Sequence, residues 1–166
     1  LTKAGDAAAE RNLNLCVECL FGDYEAKIHT PTMARLAAEL DHIAHPRVAA
    51  TLDFSHGYLE HANQPGDFLA GAKALARHAK HLHIHDSFGR PDDTWMFTDG
   101  ERLAFGHGDL HLPVGWGDIP WDTLIGACEF PQGVVFNIEL QERYWYMAQE
   151  TIDATKALAD KAMVMG

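Results

Sequence analysis

Positive charge is what this sequence most lacks. Thirteen Lys and Arg stand against 24 Asp and Glu, a formal net charge of −11 over 166 residues. That deficit argues against broad, sequence-independent binding to nucleic acid, which needs cationic surface to displace counterions. It does not exclude a local basic site. Cysteine is sparse too, with Cys16, Cys19 and Cys128 alone and no second Cys-x-x-Cys pair to complete a zinc or disulfide framework. If Cys16 to Glu18 is strand, Cys16 and Cys19 face different ways, and buried thiols in a reduced, cytoplasmic protein are the expectation. No apolar run approaches the roughly 20 residues a membrane helix needs, and no signal-peptide pattern is visible, so no membrane partner is expected. Low-complexity tracts and obvious linkers are absent as well. With 47% hydrophobic composition, residues 1–166 are expected to belong to a single domain with a real core.

Against these absences stands one repeated feature: apolar runs that finish on a side chain able to hold a metal. Leu13 to Val17 leads to Glu18, Val48 to Leu52 leads to Asp53, His81-Leu82-His83 leads into Ile84-His85-Asp86, and Val134 to Ile138 leads to Glu139. Short buried strands of this kind suggest a parallel sheet with its chemistry at the C-terminal edge. A single polar strand end often just reaches water; four in succession with ligand chemistry point to a divalent-metal enzyme. An unpaired carboxylate buried there is costly unless it meets a cation.

Between the strands the periodicity is helical. Thr30-Pro31 reads as an N-cap with proline at the first helical position, and Met33, Leu36, Leu40 and Ile43 then mark one apolar face. Pro65-Gly66-Asp67 opens a second helix, with Phe68, Ala72, Leu75 and Ala79 on one side. Residues 87–118 form a long Gly/Asp-rich loop, far above the usual length of about 4–6 residues, and loops of that size are commonly functional or disordered. Ile119 to Glu129 reads as a short helix, Gly133 to Glu139 as the last strand, and Arg143 to about Ala162 as a closing helix with Met147, Thr151, Ala154 and Leu158 in register. These make four βα units. Phe21-Gly22-Asp23 is not the Gly-rich phosphate turn of a doubly wound sheet, whereas ligands on every strand end suit a barrel, where the ends converge on one axis. Four units are half of an eight-unit barrel. The opening Ala4-Gly5-Asp6-Ala7-Ala8-Ala9-Glu10-Arg11 reads like the end of a helix, so the chain is expected to be part of something longer.

Several candidates stand beside the strand-end residues. His56 follows Asp53 by three residues. His81, His83 and His85 alternate, so all three face one side of the strand, and spacing does not choose between His83 and His85 as a ligand. Asp109-Leu110-His111 is a short Asp-x-His pair, weak when isolated. Gly115-Trp116-Gly117-Asp118-Ile119-Pro120-Trp121 looks like a loop closing onto a helix start.

In order, Glu18, Asp53-Phe54-Ser55-His56, His83-Ile84-His85-Asp86-Ser87, Asp109-Leu110-His111 through Trp121, and Ile138-Glu139-Leu140 resemble the xylose-isomerase-like TIM barrels. That superfamily includes sugar and sugar-phosphate isomerases and epimerases and the type 2 apurinic endonucleases. The resemblance implies a (β/α)8 barrel, of which residues 1–166 look like the C-terminal half, strands five to eight. It implies a metal held by Glu18, Asp53, His83 and Glu139, choosing His83 through a His-x-x-Asp pattern. The set is fairly hard, favouring Mn2+ or Mg2+ over Zn2+ or Co2+. The nuclease branch implies a second ion on His56, Asp109 and His111, but its two further histidines from the first half of the barrel are absent here.

The reaction so implied is isomerisation or epimerisation of a small-molecule sugar by proton transfer through an enediolate. Glu18 and Glu139 serve as acid and base as well as ligands, and His56 helps hold substrate oxygens. An arginine after the His strand commonly touches substrate in the family; Arg90 is displaced from that place by about one residue. Cleavage of abasic DNA is the runner-up reading and a non-catalytic metal-binding half barrel the third. A half barrel leaves unpaired strand edges, so an upstream half or a homo-oligomer is expected.

Overall fold

The computed structural model describes residues 1–22, 32–63, 66–90 and 95–164. Helix α1 (Thr2–Ala9) leads into strand β1 (Leu15–Glu18), α2 (Met33–Ile43), β2 (Val48–Asp53), α3 (Phe54–Asn63) and α4 (Phe68–Ala76). Then come β3 (Ala79–Ile84), α5 (Asp99–Phe105), α6 (Trp121–Ala127), the short β4 (Glu129–Phe130) and β5 (Val135–Ile138). A 3-10 turn (Glu142–Met147), α7 (Ala148–Lys161) and β6 (Met163–Val164) close the order. Among the described residues no helix is long and apolar enough to cross a membrane.

Four strands form one sheet in the order β1-β2-β3-β5, all parallel. The register sets Glu18 beside Thr51, Asp53 beside His83 and His83 beside Asn137. Two backbone bonds carry the ladder past the strand ends: Cys19 N–H to Thr51 O at 3.2 Å and Glu139 N–H to Ile84 O at 3.2 Å. One face of the sheet is sealed. Ala50, Leu52, Leu82 and Ile84 are fully buried in a core completed by Leu36 and Leu40 of α2, Ala72 and Leu75 of α4, Leu124 and Ile125 of α6 and Leu158 of α7. Side chains alternate across a strand, so Glu18, Asp53, His81 and His83 project to the other face.

The local chemistry explains most boundaries. Helix α2 is capped by Thr32, whose side chain accepts from Arg35 N–H, and it stops at Ala44 in the left-handed region; Thr30 and Pro31 lie outside the described residues. Asp67 caps α4 by accepting from Ala70 N–H, while Pro65 lies outside the described residues. Helix α4 ends at Ala76, and Ala79 opens β3 rather than continuing the helical face. The closing helix begins as a 3-10 turn and is α-helical only from Ala148. Two helices depart from the sequence reading. Residues 54–63, directly after β2, are α3, and the long loop contains α5, which Thr98 and Glu101 start with a reciprocal capping box.

Asp86 anchors the rest of that loop. Its fully buried carboxylate accepts from Ser87 N–H (2.9 Å), Gly115 N–H (2.7 Å), Ile119 N–H (3.4 Å) and the Trp121 indole (3.1 Å). Its backbone pairs with Leu112 in an isolated antiparallel bridge. Gly117 passes so close that a Cβ there would run into Ser87 O and Asp86 Oδ1. Gly117→Ala should therefore destabilise the protein by about 1–3 kcal/mol through overpacking. A denaturant midpoint equal to that of the parent would contradict the clamp.

Candidate metal centre

The strand ends place three carboxylates around one imidazole. His83 Nδ1 lies 3.2 Å from Glu18 Oε1, 3.3 Å from Asp53 Oδ2 and 3.1 Å from Glu139 Oε2. The nitrogen is buried, yet none of these oxygens meets it in hydrogen-bonding geometry. Ligand atoms about 2.1 Å from a shared ion stand about 3.0 Å apart along an octahedral edge and about 3.4 Å apart along a tetrahedral one. Glu18, Asp53 and His83 bring ligand atoms close enough for one ion to share, and Glu139, 3.1 Å from His83, adjoins them; such oxygens and an imidazole nitrogen suit a divalent cation.

A second group adjoins the first. His56, His85, Asp109 and His111 bring ligand atoms within reach of one another, as do Asp53, His85 and Glu139. His56 Nδ1 sits 3.2 Å from Cys19 O and His111 Nδ1 sits 2.9 Å from Glu139 O. With Nδ1 donating to a carbonyl, each ring presents Nε2 to the same atom, Asp109 Oδ2, at 3.2 and 2.8 Å. Backbone partners of this kind fix the ring orientation of metal-ligating histidines. The other Asp109 oxygen and His85 Nδ1 are buried without a hydrogen-bond partner, 3.8 Å apart. So Asp109 and His111 converge with His56 rather than pointing to solvent.

His85 is the residue that spacing left undecided. It is fully buried, with Nε2 3.1 Å from Asp53 Oδ2 and its ring stacked on His111 at 3.9 Å. It links the two groups through Asp53. Its signal in the sequence was the His83-x-His85 alternation itself, which puts both rings on Asp53's side of the sheet. Arg90 sits elsewhere: its guanidinium donates to Phe105 O at 2.8 Å and lies over the Phe88 ring, tying the loop to itself.

The electrostatics follow from burial opposed by close partners. Burial alone would raise the Asp53 carboxyl, but His83, His85 and His56 around it hold it well below the usual carboxylate range. Asp109 behaves alike, with His111 and His56 outweighing its burial. Burial would lower His56, yet the hydrogen bond to Asp109 and the charges of Asp53 and Glu18 lift it to about 9. His83 and His111 are raised by the same competition. The thiol of Cys19, bonded to the Asp53 backbone, is pushed far up by burial, and all three cysteines are free. Without an ion, protons on the imidazoles offset the carboxylates.

The sequence matches the family described as xylose isomerase-like TIM barrel over residues 1–163, and the chain belongs to that family. Solved structures agree on the fold. A D-tagatose 3-epimerase-like protein superposes with a TM-score of 0.57 at 16% identity, over 94% of this chain and 53% of its own. A xylose isomerase domain protein from Alicyclobacillus acidocaldarius subsp. acidocaldarius does so with a TM-score of 0.54 at 17% identity, over 96% and 56%. This chain thus spans about half the length of each, and at such identities the likeness is one of fold. No curated protein matches the sequence.

A raised folded-state pKa contributes stability that is present below the unfolded value and lost as pH climbs through the folded one. In EDTA-treated protein, the unfolding free energy should therefore fall as pH rises from about 6.5 to about 9, the ordinary and folded values of His56. His56→Gln should flatten much of that slope. Urea unfolding at a series of pH values reads it, and stability rising through that window would contradict the assignment.

Proposed function

We propose that this chain carries the metal-binding and proton-transferring residues of a metal-dependent isomerase or epimerase acting on a sugar or sugar phosphate. The observation that carries the reading is the unequal exposure of the carboxylates around His83. Asp53 is sealed at 0%, while the side chains of Glu18 and Glu139 are 32% and 29% exposed. These two approach from opposite edges of the four-stranded sheet. A sealed carboxylate can only hold a cation, whereas half-open ones on either side of a cleft can also exchange protons with a bound molecule.

A divalent ion held by Glu18, Asp53, His83 and Glu139, with Mn2+ or Mg2+ favoured over Zn2+ or Co2+, would polarise a substrate carbonyl and acidify the adjacent C–H. One of Glu18 and Glu139 takes that proton from carbon as the C–H bond breaks. The carboxyl across the cleft returns a proton, to the neighbouring carbon in isomerisation or to the opposite face of the same carbon in epimerisation. His56 helps orient substrate oxygens, and the Phe21 ring, 5.2 Å from it, walls that side against water. Membership of the family, and the names of the two structural neighbours, support the reaction class. Residues 1–166 are best read as strands five to eight of a single barrel, completed by an N-terminal half or a second copy. Coverage of about half of each matched structure supports that reading.

A second reading, hydrolysis of a phosphodiester at abasic DNA, draws on the convergence of His56, Asp109 and His111. Two imidazoles and a carboxylate suit a zinc ion with an open position. The net charge of −11 weighs against nucleic acid as the substrate.

Isotope exchange separates the two. Purified, metal-loaded protein should incorporate solvent deuterium into a ketose or ketose phosphate from a broad panel. Glu139→Gln should abolish that incorporation even where metal is retained, since an amide cannot accept the proton. Cleavage of abasic DNA at a useful rate with no uptake of deuterium into any sugar would overturn the first reading.

A further inference from the structure

His85 is a buried imidazole that the proposed reaction leaves without a task. Its side chain has no exposed surface, and the backbone on either side of it is pinned. Ile84 O accepts from Glu139 N–H at 3.2 Å, and Asp86 exchanges backbone bonds of 2.8 and 3.0 Å with Leu112. The ring so placed touches both candidate metal groups. Its Nε2 meets Asp53 Oδ2 in hydrogen-bonding geometry at 3.1 Å, and one flat side covers the His111 ring at 3.9 Å between centroids. The other imidazoles beside Asp53 do not share this bond. His56 Nδ1 lies on Cys19 O at 3.2 Å, and His83 Nδ1 is buried with no hydrogen-bond partner.

Ligand atoms of His85 come within reach of both groups, yet the ring is poorly set to hold an ion. A carboxylate only accepts, so Nε2 carries the proton and has no lone pair for a metal. Nδ1 is buried without a hydrogen-bond partner, which agrees with a bare nitrogen there. The lone pairs of an imidazole lie in its ring plane, and the planes of His85 and His111 are 2° from parallel. Stacked rings send their lone pairs along separate planes, so Nδ1 cannot share an ion with His111. We propose that His85 is a positioning residue: it fixes the Asp53 carboxylate and the His111 ring in the orientations that present them to metal, and is not itself a ligand. The Asp53 carboxylate is held at both oxygens, because Oδ1 accepts from His56 N–H at 2.8 Å while Oδ2 accepts from His85. Each oxygen has two lone pairs, which leaves one on Oδ2 for an ion beside His83. Hydrogen-bonding partners of this kind orient metal-ligating carboxylates, and losing one costs about 10–100-fold in metal affinity. The role rests on Asp53 binding metal, as the isomerase or epimerase reading requires, and not on which sugar is bound.

Titration of the full-length protein with Mn2+, the free ion being read by electron paramagnetic resonance, tests the role. His85→Leu should bind Mn2+ about 10–100-fold more weakly than the parent. His85→Gln, whose amide N–H reaches as far as Nε2, should restore most of that affinity. His85→Asn, which reaches only as far as Nδ1, should not. Circular dichroism checks that the variants fold, and should His85→Leu fail to do so, the contrast between the Gln and Asn variants decides. Electron spin-echo modulation from imidazole nitrogen on the bound Mn2+ should be the same in His85→Gln as in the parent, because His83 is the ligand and His85 is not. Loss of that nitrogen signal in His85→Gln would make His85 a ligand and overturn the proposal. Gln and Asn variants that behave alike, or parent-like affinity in His85→Leu, would overturn it too. A parent that binds no Mn2+ would sink the metal reading and this role together, whereas tight Mn2+ binding indifferent to position 85 would sink the role alone.

Discussion

Asp53 is a carboxyl group with no exposure to water, held well below the usual carboxylate range by the imidazoles beside it, and the rest of the site is arranged around that constraint. An isolated buried charge costs many kcal/mol, so it persists only with opposite charge beside it. In this chain the compensation comes from three imidazoles. His56 stands 3.4 Å from its Oδ2, His83 3.3 Å and His85 3.1 Å. Each of the three is also in touch with a further carboxylate, Glu18, Glu139 or Asp109. His56 and His83 hold their protons more tightly than free imidazoles do in the absence of an ion, and a divalent cation bound there would displace such protons. The rigidity needed for such an arrangement comes from below. The sheet beneath Asp53 is parallel and sealed on its helical face, where Ala50, Leu52, Leu82 and Ile84 have no exposure.

The second half of the network depends on a loop, and loops need an anchor. Asp109 and His111 lie between α5 and α6, outside the named strands. Asp86, the residue next to His85, supplies the anchor by gathering four N–H groups from Ser87, Gly115, Ile119 and Trp121. A second buried contact, Ser55 Oγ to Ser87 Oγ at 2.8 Å, joins the same corner to the start of α3. The candidate metal ligands on strands and on the loop therefore share one fixed reference at the end of β3.

The sheet and its polar edge were legible in the sequence because β1, β2 and β5 are short apolar runs that each end on or just before one carboxylate, and β3 alternates imidazoles with apolar residues. The helices α2 and α4 were legible from apolar spacing, though Ala79 was assigned to the wrong element because alanine suits either. Helix α3 has no clean apolar stripe: residues 54–63 mix Ser55, His56, Glu60 and His61 with apolar positions, and all of these polar residues except His61 are buried. Tertiary demand there overrides the amphipathic pattern. Helix α5 did announce itself through Thr98-x-x-Glu101, a capping box inside a segment too rich in Gly and Asp to draw attention. The meeting of His85 with Asp53 depends on packing between distant segments, which no local spacing encodes.

The central claim is that Glu18, Asp53, His83 and Glu139 surround a divalent ion. Anomalous diffraction from crystals of the full-length protein soaked in MnCl2 tests it most directly. The account predicts the strongest manganese peak among those four side chains, with Asp53 as its most buried ligand. Manganese bound elsewhere, with this group left metal-free and His83 directed away from Asp53, would contradict it.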